Sequence, residues 1–334
     1  MLKDDVLGFL SQILVKDLVR ISEVDKEVFF SNIDAYTDNQ IENIGFASFV
    51  ETETIITFFR KIYQMQISEI KSLQALFNKV SGVFIQGFCR NMDFEPVLPL
   101  SKRADIDVYV PKENYPYFLE KLQLSGYKHL GFNEAGFIEL NELSVKAFAA
   151  DYWAEKDMTL TRPIYIGRHE DAPIDVKDFY LPIINIEGEL FLLISFEPHF
   201  SYLDYSERSV FASLSEQWVM TGCSRITVVG AIFFNIIRLD MGVQRRENRV
   251  RIILEIAALL HLDELNNFDF AGLENLILSH PARSKISAMA IVLAQLHPAF
   301  QLFARLEKFA CPDHVKILSS SLEAIFSKRV VMGA

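Results

Sequence analysis

The first eighty residues carry apolar side chains at three- and four-residue intervals, which is the spacing of amphipathic helices. Near the N-terminus one predicted helical face collects Val6, Leu10, Ile13, Leu14 and Leu18. A further helical stretch opens at Thr52, a residue type that caps helices, and ends at Gly82. The pattern predicts an N-terminal helical segment over residues 1–80.

From residue 81 to 205 the pattern changes to short apolar runs and period-two alternation. "VFIQG", "ADIDVYV", "RPIYIGR" and "GELFLLISF" are predicted strands, and "YPYFLEKLQLSGY" is a compact helix that Gly126 ends. Two more strands flank a predicted turn at Asn133–Gly136. Strands and helices in this order predict an α+β domain with a mixed β-sheet and flanking helices.

Beyond Ser206 the apolar residues return to helical spacing. The stretches concerned include "RITVVGAIFFNIIRL", "SKISAMAIVLAQL" and "DHVKILSSSLEAIFS". We expect a C-terminal helical bundle over residues 206–334, after an N-terminal segment over 1–80 and an α+β domain over 81–205.

Composition and charge narrow the function classes. A formal charge of −11 disfavours a protein whose main partner is nucleic acid or an anionic membrane. The 3 cysteines are too far apart for a zinc motif or a disulfide framework. The N-terminus lacks the basic start of a secretory signal, and no apolar run reaches the roughly 20 residues of a membrane span. We therefore expect a cytoplasmic protein.

The stretch "SKRADIDVYV", residues 101–110, is the clearest candidate for chemistry. On a strand Asp105, Asp107 and Tyr109 share one face, while the alternate apolar residues face the core. Carboxylates on one strand face can converge on one or two divalent cations. Hard oxygen ligands favour Mg²⁺ or Mn²⁺.

In this stretch polar residues precede the D-x-D and the apolar strand follows it, an arrangement that resembles nucleotidyltransferases related to DNA polymerase beta. The resemblance is greatest to a poorly characterised bacterial group of these enzymes, with a glycine turn, an arginine before D-[IL]-D-[LV]-x-V, a proline, a short helix and "GY". It covers about forty-five residues. The matching positions are Gly87, Arg103, Asp105, Asp107, Pro111, Gly126 and Tyr127.

The resemblance implies a mixed sheet of the nucleotidyltransferase type and a third carboxylate on a neighbouring strand. Asp175 in "PIDVKDF" is the first candidate for this carboxylate and Glu139 in "FIELNE" the second. Many relatives have a histidine two residues after the third carboxylate, where this chain has Lys177 after Asp175. Asp105, Asp107 and Asp175 are then the predicted metal ligands and catalytic residues.

The resemblance also implies a site for the triphosphate. Gly87 matches the glycine of the phosphate-binding turn, with Phe88 where serine is usual, and Arg90 and Arg103 are the expected phosphate clamps. A second basic stretch, "GVQRRENRVR", has arginines able to reach a triphosphate or an anionic acceptor, or to form an ordinary solvated helix face: Arg245, Arg246 and Arg249.

Other motifs are weak or missing. There is no G-x-S-x-G, Walker A or G-x-G-x-x-G sequence, and the 7 histidines are scattered, each expected to be a surface or core residue. "SFEPHFSYLDYSE", residues 195–207, is rich in aromatic and acidic residues, and either lines an acceptor pocket or links the sheet to the helical bundle.

Together these features predict a nucleotidyltransferase that uses Mg²⁺ or Mn²⁺ and an NTP such as ATP to transfer NMP to a small molecule, a peptide or a protein. Two alternatives stay open: an inactive member of the fold that acts as a binding module, and a toxin-type enzyme that acts on RNA. The acceptor, the choice of NTP and the oligomeric state do not follow from the sequence.

Overall fold

The structure is a computed structural model. It describes residues 53–85, 89, 105–133, 136–140, 159–172, 182–202, 205, 208–244, 252–253, 255–256, 259–260, 268–296 and 298–327. The described residues up to 227 form one compact unit, and those from 228 onward form a second. In the described residues no helix is both long enough and apolar enough to cross a membrane.

The helices of the first unit begin with α1 (Glu53–Ser72) and α2 (Gln74–Val80). The apolar spacing suggests a single helix here, but in the structure that helix is interrupted at Leu73. After the 3₁₀ turn Lys112–Asn114 comes α3 (Tyr115–Leu124), and α4 (Arg208–Ser213) lies near the end of the unit. The chain leaves α3 through Gly126, whose φ of +87° favours glycine, as the sequence predicts.

Among the described residues the main sheet has seven strands in the order β5-β7-β2-β1-β9-β8, with β6 also paired to β7. These strands are β1 (Val83–Phe84), β2 (Ile106–Tyr109), β5 (Leu160–Arg168), β6 (Ile183–Ile186), β7 (Glu189–His199), β8 (Ser215–Gln217) and β9 (Ser224–Ile226). A separate hairpin comprises β3 (Leu130–Asn133) and β4 (Gly136–Glu139), on either side of the predicted turn.

The sheet is mixed. β2 runs parallel to β7 and β1 runs parallel to β9, while the other pairs are antiparallel. A two-residue turn joins β6 to β7, and its residues Glu187 and Gly188 both have positive φ, as a type I′ hairpin turn requires. The α+β class with a mixed sheet and helices is confirmed.

Aromatic packing holds α2 and α3 against one face of the sheet. The ring of Phe77, from α2, lies 4.9 Å from Phe84 of β1 and 5.2 Å from Phe196 of β7. Phe118 of α3 contacts Phe77 at 5.8 Å, and all these rings are buried. Because alternate strand residues point to opposite faces, Asp107 and Glu197 lie on the other face of the sheet.

The second unit is helical, in the region where the sequence predicts a helical bundle. Its described elements are α5 (Val228–Gln244), α6 (Phe270–Ser279), α7 (Arg283–Leu296), a 3₁₀ segment (Pro298–Phe309) and α8 (Pro312–Ser327). Residues 286–293 of α7 are all buried, so α7 is the central helix of this unit.

The segment boundaries differ from those expected in two respects. The sheet continues beyond residue 205, since β8 and β9 add strands as far as Ile226. The run from Ile226 to Val229 is β-branched throughout, so periodicity alone does not separate the end of a strand from the start of a helix there. The described part of the predicted N-terminal segment packs on the sheet rather than forming its own unit.

Candidate metal centre

The parallel pairing of β2 with β7 brings two acidic residues side by side. Asp107 of β2 is the register partner of Glu197 of β7, and the next pair on the same face is Tyr109 with His199. In β7 the residues Ser195, Glu197 and His199 alternate with apolar positions, so they share one face. Two parallel strands thus place two carboxylates and an imidazole on one patch of the sheet.

The three side chains are close and well buried. His199 Nε2 lies 2.8 Å from Asp107 Oδ1, a hydrogen-bonding distance, and 4.0 Å from Glu197 Oε1. One ligand atom from each residue lies within 4.8 Å of the other two. The side chains of Asp107, Glu197 and His199 are only 7%, 6% and 2% exposed. Carboxylate and imidazole are both metal-ligand groups, so this donor set fits a divalent cation.

Burial makes the charge of this cluster important. Two carboxylates a few ångströms apart repel each other, and removing them from water adds a desolvation cost. A nearby positive charge offsets both costs, either as a protonated His199 or as a cation bound between the carboxylates. The arrangement suits cation binding in a way that an exposed acidic patch does not.

Asp105, the other predicted member of the pair, lies immediately before β2 and is half-buried. It does not belong to the group of Asp107, Glu197 and His199, the cluster of potential metal ligands found among the described residues. The structure therefore brings together Asp107 and two residues that the sequence did not single out.

The two candidates for the third carboxylate have different positions. Asp175 lies outside the described residues, as does Lys177. Glu139 is on β4 of the separate hairpin, where its exposed carboxylate accepts a hydrogen bond from Lys128 Nζ at 2.6 Å. Among the described residues, Glu197 supplies a carboxylate beside Asp107.

The predicted phosphate-binding residues lie outside the described part of the chain: Gly87, Arg90, Arg103, Arg245, Arg246 and Arg249. Cys89, within the predicted phosphate-binding turn, is described and buried. Its backbone carbonyl accepts a hydrogen bond from Arg225 Nη1 of β9 at 2.9 Å, and Arg225 Nε donates to Glu216 at 3.0 Å. The end of the turn is thus tied to β9.

Aromatic residues surround the cluster. Tyr109 stacks on Phe211 of α4 with a ring separation of 3.7 Å, and burial raises the pKa of its hydroxyl. The ring of Tyr202 lies edge-on to His199 at 5.7 Å. Low-polarity walls strengthen any charge interaction within the cluster, because little water screens it.

Glu197 and His199 could have been found from the sequence with one further step. "SFEPHF" directly continues the predicted strand "GELFLLISF", so its period-two pattern extends to Ser195, Glu197 and His199. The proline at position 198 suggests that the strand has ended, yet β7 extends through it to His199. The segment also contains a single histidine, so it does not resemble a metal-binding motif with two histidines at a fixed spacing.

Comparisons with protein-family models, with curated proteins and with solved structures found no match to this chain. What the site does must be inferred from its own residues.

Proposed function

We propose that this chain is a metal-dependent nucleotidyltransferase that moves an NMP group from an NTP to a small-molecule, peptide or protein acceptor, with pyrophosphate as the leaving group. The observation that carries the proposal is the buried placement of Asp107 and Glu197 as register partners on parallel strands, with His199 beside them. Carboxylates from neighbouring strands can hold the divalent cations that phosphoryl and nucleotidyl transfer requires.

In this proposal Asp107 and Glu197 hold the cation, Mg²⁺ or Mn²⁺. The bound cation would neutralise charge on the triphosphate and lower the pKa of the attacking hydroxyl. Around it the chain supplies position and electrostatics: the carboxylates set where the cation sits, and Arg90 and Arg103 are proposed to clamp the phosphates.

The pattern around Glu197 supports the proposal independently of the distances. The resemblance to nucleotidyltransferases implies a third carboxylate on a strand beside the D-x-D strand, often followed two residues later by histidine. Glu197 and His199 have this spacing, whereas Asp175 is followed by Lys177. Glu197 is also on the strand that pairs with the D-x-D strand, as the resemblance requires. We therefore propose Glu197 as the third carboxylate.

A second candidate function is a binding module that has the fold without the activity. The near-complete burial of all three side chains favours it, because a protonated His199 between two carboxylates would form a closed structural ion cluster. An RNA acceptor is disfavoured by the formal charge of −11. The two candidates differ in whether a cation changes the stability of the protein.

The test compares the thermal unfolding of the chain with each NTP, with and without Mg²⁺ or Mn²⁺. A ligand at 100 times its Kd stabilises the folded state by about 2.7 kcal/mol, which is readily measured as a shift in Tm. We expect an increase in Tm that needs both NTP and cation. Asp107→Asn and Glu197→Gln should lose this increase, whereas Glu139→Gln should keep it. An unchanged increase in Tm in both Asp107→Asn and Glu197→Gln would rule out this site.

The acceptor needs a separate measurement. Purified protein, Mn²⁺ and α-³²P-labelled NTP are incubated with candidate acceptor fractions, and label is followed into small molecules, protein and RNA. The proposal is supported if the wild type transfers label to small molecules or protein and Asp107→Asn does not. Transfer into RNA alone would instead support the toxin-type alternative, and no transfer with intact cation binding would support the binding module.

A further inference from the structure

The donor set of the proposed cation site contains a nitrogen. Asp107, Glu197 and His199 together offer carboxylate oxygens and the imidazole nitrogen Nε2 at the cluster. Sites that serve Mg²⁺ use oxygen ligands and water, because this small, hard cation binds imidazole poorly. The presence of His199 within the ligand group therefore bears on which cation the site selects.

The distances from His199 Nε2 fit a ligand of an octahedral ion. Two ligands at about 2.1 Å from a cation lie about 3.0 Å apart when adjacent and about 4.2 Å apart when opposite. Nε2 lies 2.8 Å from Asp107 Oδ1 and 4.0 Å from Glu197 Oε1. One cation can contact all three atoms once the side chains adjust, since one ligand atom from each residue lies within 4.8 Å of the other two.

Ligation through Nε2 requires the proton of the neutral ring to reside on Nδ1. At present Nδ1 of His199 has no hydrogen-bond partner among the described residues, although the ring is buried. The ring can thus take the tautomer with Nδ1–H without breaking a hydrogen bond that the described structure makes at that atom. The hydrogen bond from Nε2 to Asp107 would be replaced by two bonds to the cation.

We propose that His199 is a direct metal ligand and that the site binds divalent first-row transition ions, Mn²⁺ included, more tightly than Mg²⁺. The inference rests on the proposed function, since it concerns the same cation site. Carboxylates bind both Mg²⁺ and transition ions, whereas imidazole suits first-row transition ions, so a set of two carboxylates and one histidine favours a transition ion over Mg²⁺. An NTP-dependent reaction at this site would then run better with Mn²⁺ than with Mg²⁺.

Pulsed electron paramagnetic resonance tests the ligand directly. The full chain is freed of metal with EDTA, loaded with Mn²⁺ and examined for the modulation that a directly bound ¹⁴N nucleus produces. We expect nitrogen modulation in the wild type, and its replacement by the ¹⁵N signature when the protein is made with ¹⁵N-labelled histidine. This labelling needs no variant, so the test does not depend on a substituted protein folding.

Two variants then assign the signal. His199→Gln should remove the nitrogen modulation and weaken Mn²⁺ binding by about tenfold or more, while His169→Gln, on a 3₁₀ turn of the same unit, should change neither. Circular dichroism checks that both variants are folded. In calorimetric titrations the wild type should have a Kd for Mn²⁺ at least about tenfold lower than its Kd for Mg²⁺. In His199→Gln the two Kd values should differ by less.

The possible failures are separable. Mn²⁺ bound at Asp107 and Glu197 with no nitrogen modulation would overturn the role of His199 and leave the proposed nucleotidyl transfer intact. Equal affinity for Mg²⁺ and Mn²⁺ would overturn the selectivity. If neither ion binds, with or without NTP, both the inference and the proposed function are wrong.

Discussion

Replacing Glu197 by glutamine should make the metal-free protein more stable, not less. Glutamine keeps the shape of the side chain but removes one of two carboxylates whose oxygens lie within 4.8 Å. At that distance two unit charges repel by about 3 kcal/mol with an effective dielectric constant near 20. Positive charge near the cluster, including any on His199, offsets part of this repulsion. We therefore expect Glu197→Gln to gain about 1–2 kcal/mol in free energy of unfolding when EDTA is present.

When the cation is added, Glu197→Gln should become less stable than the wild type. Wild-type protein bound to Mn²⁺ is stabilised by mass action, whereas the variant has lost a ligand and gains less. Urea unfolding followed by circular dichroism, in EDTA and in Mn²⁺, measures all four free energies. Glu139→Gln is the matched control, because it removes an exposed carboxylate with one ion pair and should change stability by less than about 1 kcal/mol.

One result would refute the reasoning. If Glu197→Gln destabilises the metal-free protein by more than about 1 kcal/mol, the carboxylate is a stabilising member of a closed polar network. The site would then be a structural cluster, as the inactive binding module predicts. If Glu197→Gln is instead more stable than the wild type in EDTA and less stable in Mn²⁺, the carboxylate of Glu197 lowers the stability of the metal-free protein and serves cation binding.

Three further predictions concern the unit that carries the site. Tyr127→Phe removes the buried hydrogen bond that the hydroxyl donates to Glu69 Oε1 at 2.9 Å, and should cost about 1.5–3 kcal/mol in urea unfolding at pH 7. Burial, and after it the charge of Glu69, raises the pKa of the Tyr127 hydroxyl. The stabilising contribution of the hydroxyl is therefore complete below pH about 10 and falls as the pH rises further. Between pH 9 and 11 Tyr127→Phe should lose less free energy of unfolding than the wild type does. Gly222→Ala should cost about 1–2 kcal/mol for its φ of +72°, because the amide of Gln74, at the end of a flexible side chain, can move away from the new methyl but the backbone strain stays; a variant as stable as the wild type would contradict this conformation. In the proposed reaction Arg225→Lys should raise KM for the NTP more than it lowers kcat, because lysine cannot reproduce the paired hydrogen bonds by which the guanidinium ties Cys89 of the predicted phosphate-binding turn to β9; a lower kcat with an unchanged KM would instead indicate a smaller folded fraction.

Local pattern was sufficient for most elements of the first unit. "ADIDVYV" alternates polar and apolar residues and forms β2, and "YPYFLEKLQL" forms α3 and ends before Gly126. Alternation also placed Asp107 opposite the apolar core face before any strand partner was known. The pattern was less informative at the end of this unit. β8 consists of three polar residues without an apolar alternation, and β9 ends in a β-branched run that is compatible with both strand and helix, so neither strand was predicted.

The amino-acid sequence by itself determined the α+β class, the D-x-D strand and the identity of Asp107 as a candidate ligand, because these depend on periodicities within a few residues. It did not determine which residues stand beside Asp107. That depends on β7 pairing with β2 across ninety residues of chain, in the register that opposes Glu197 to Asp107. A shift of one residue would turn Glu197 and His199 to the opposite face, so the register of two parallel strands, a tertiary property, decides whether the site exists.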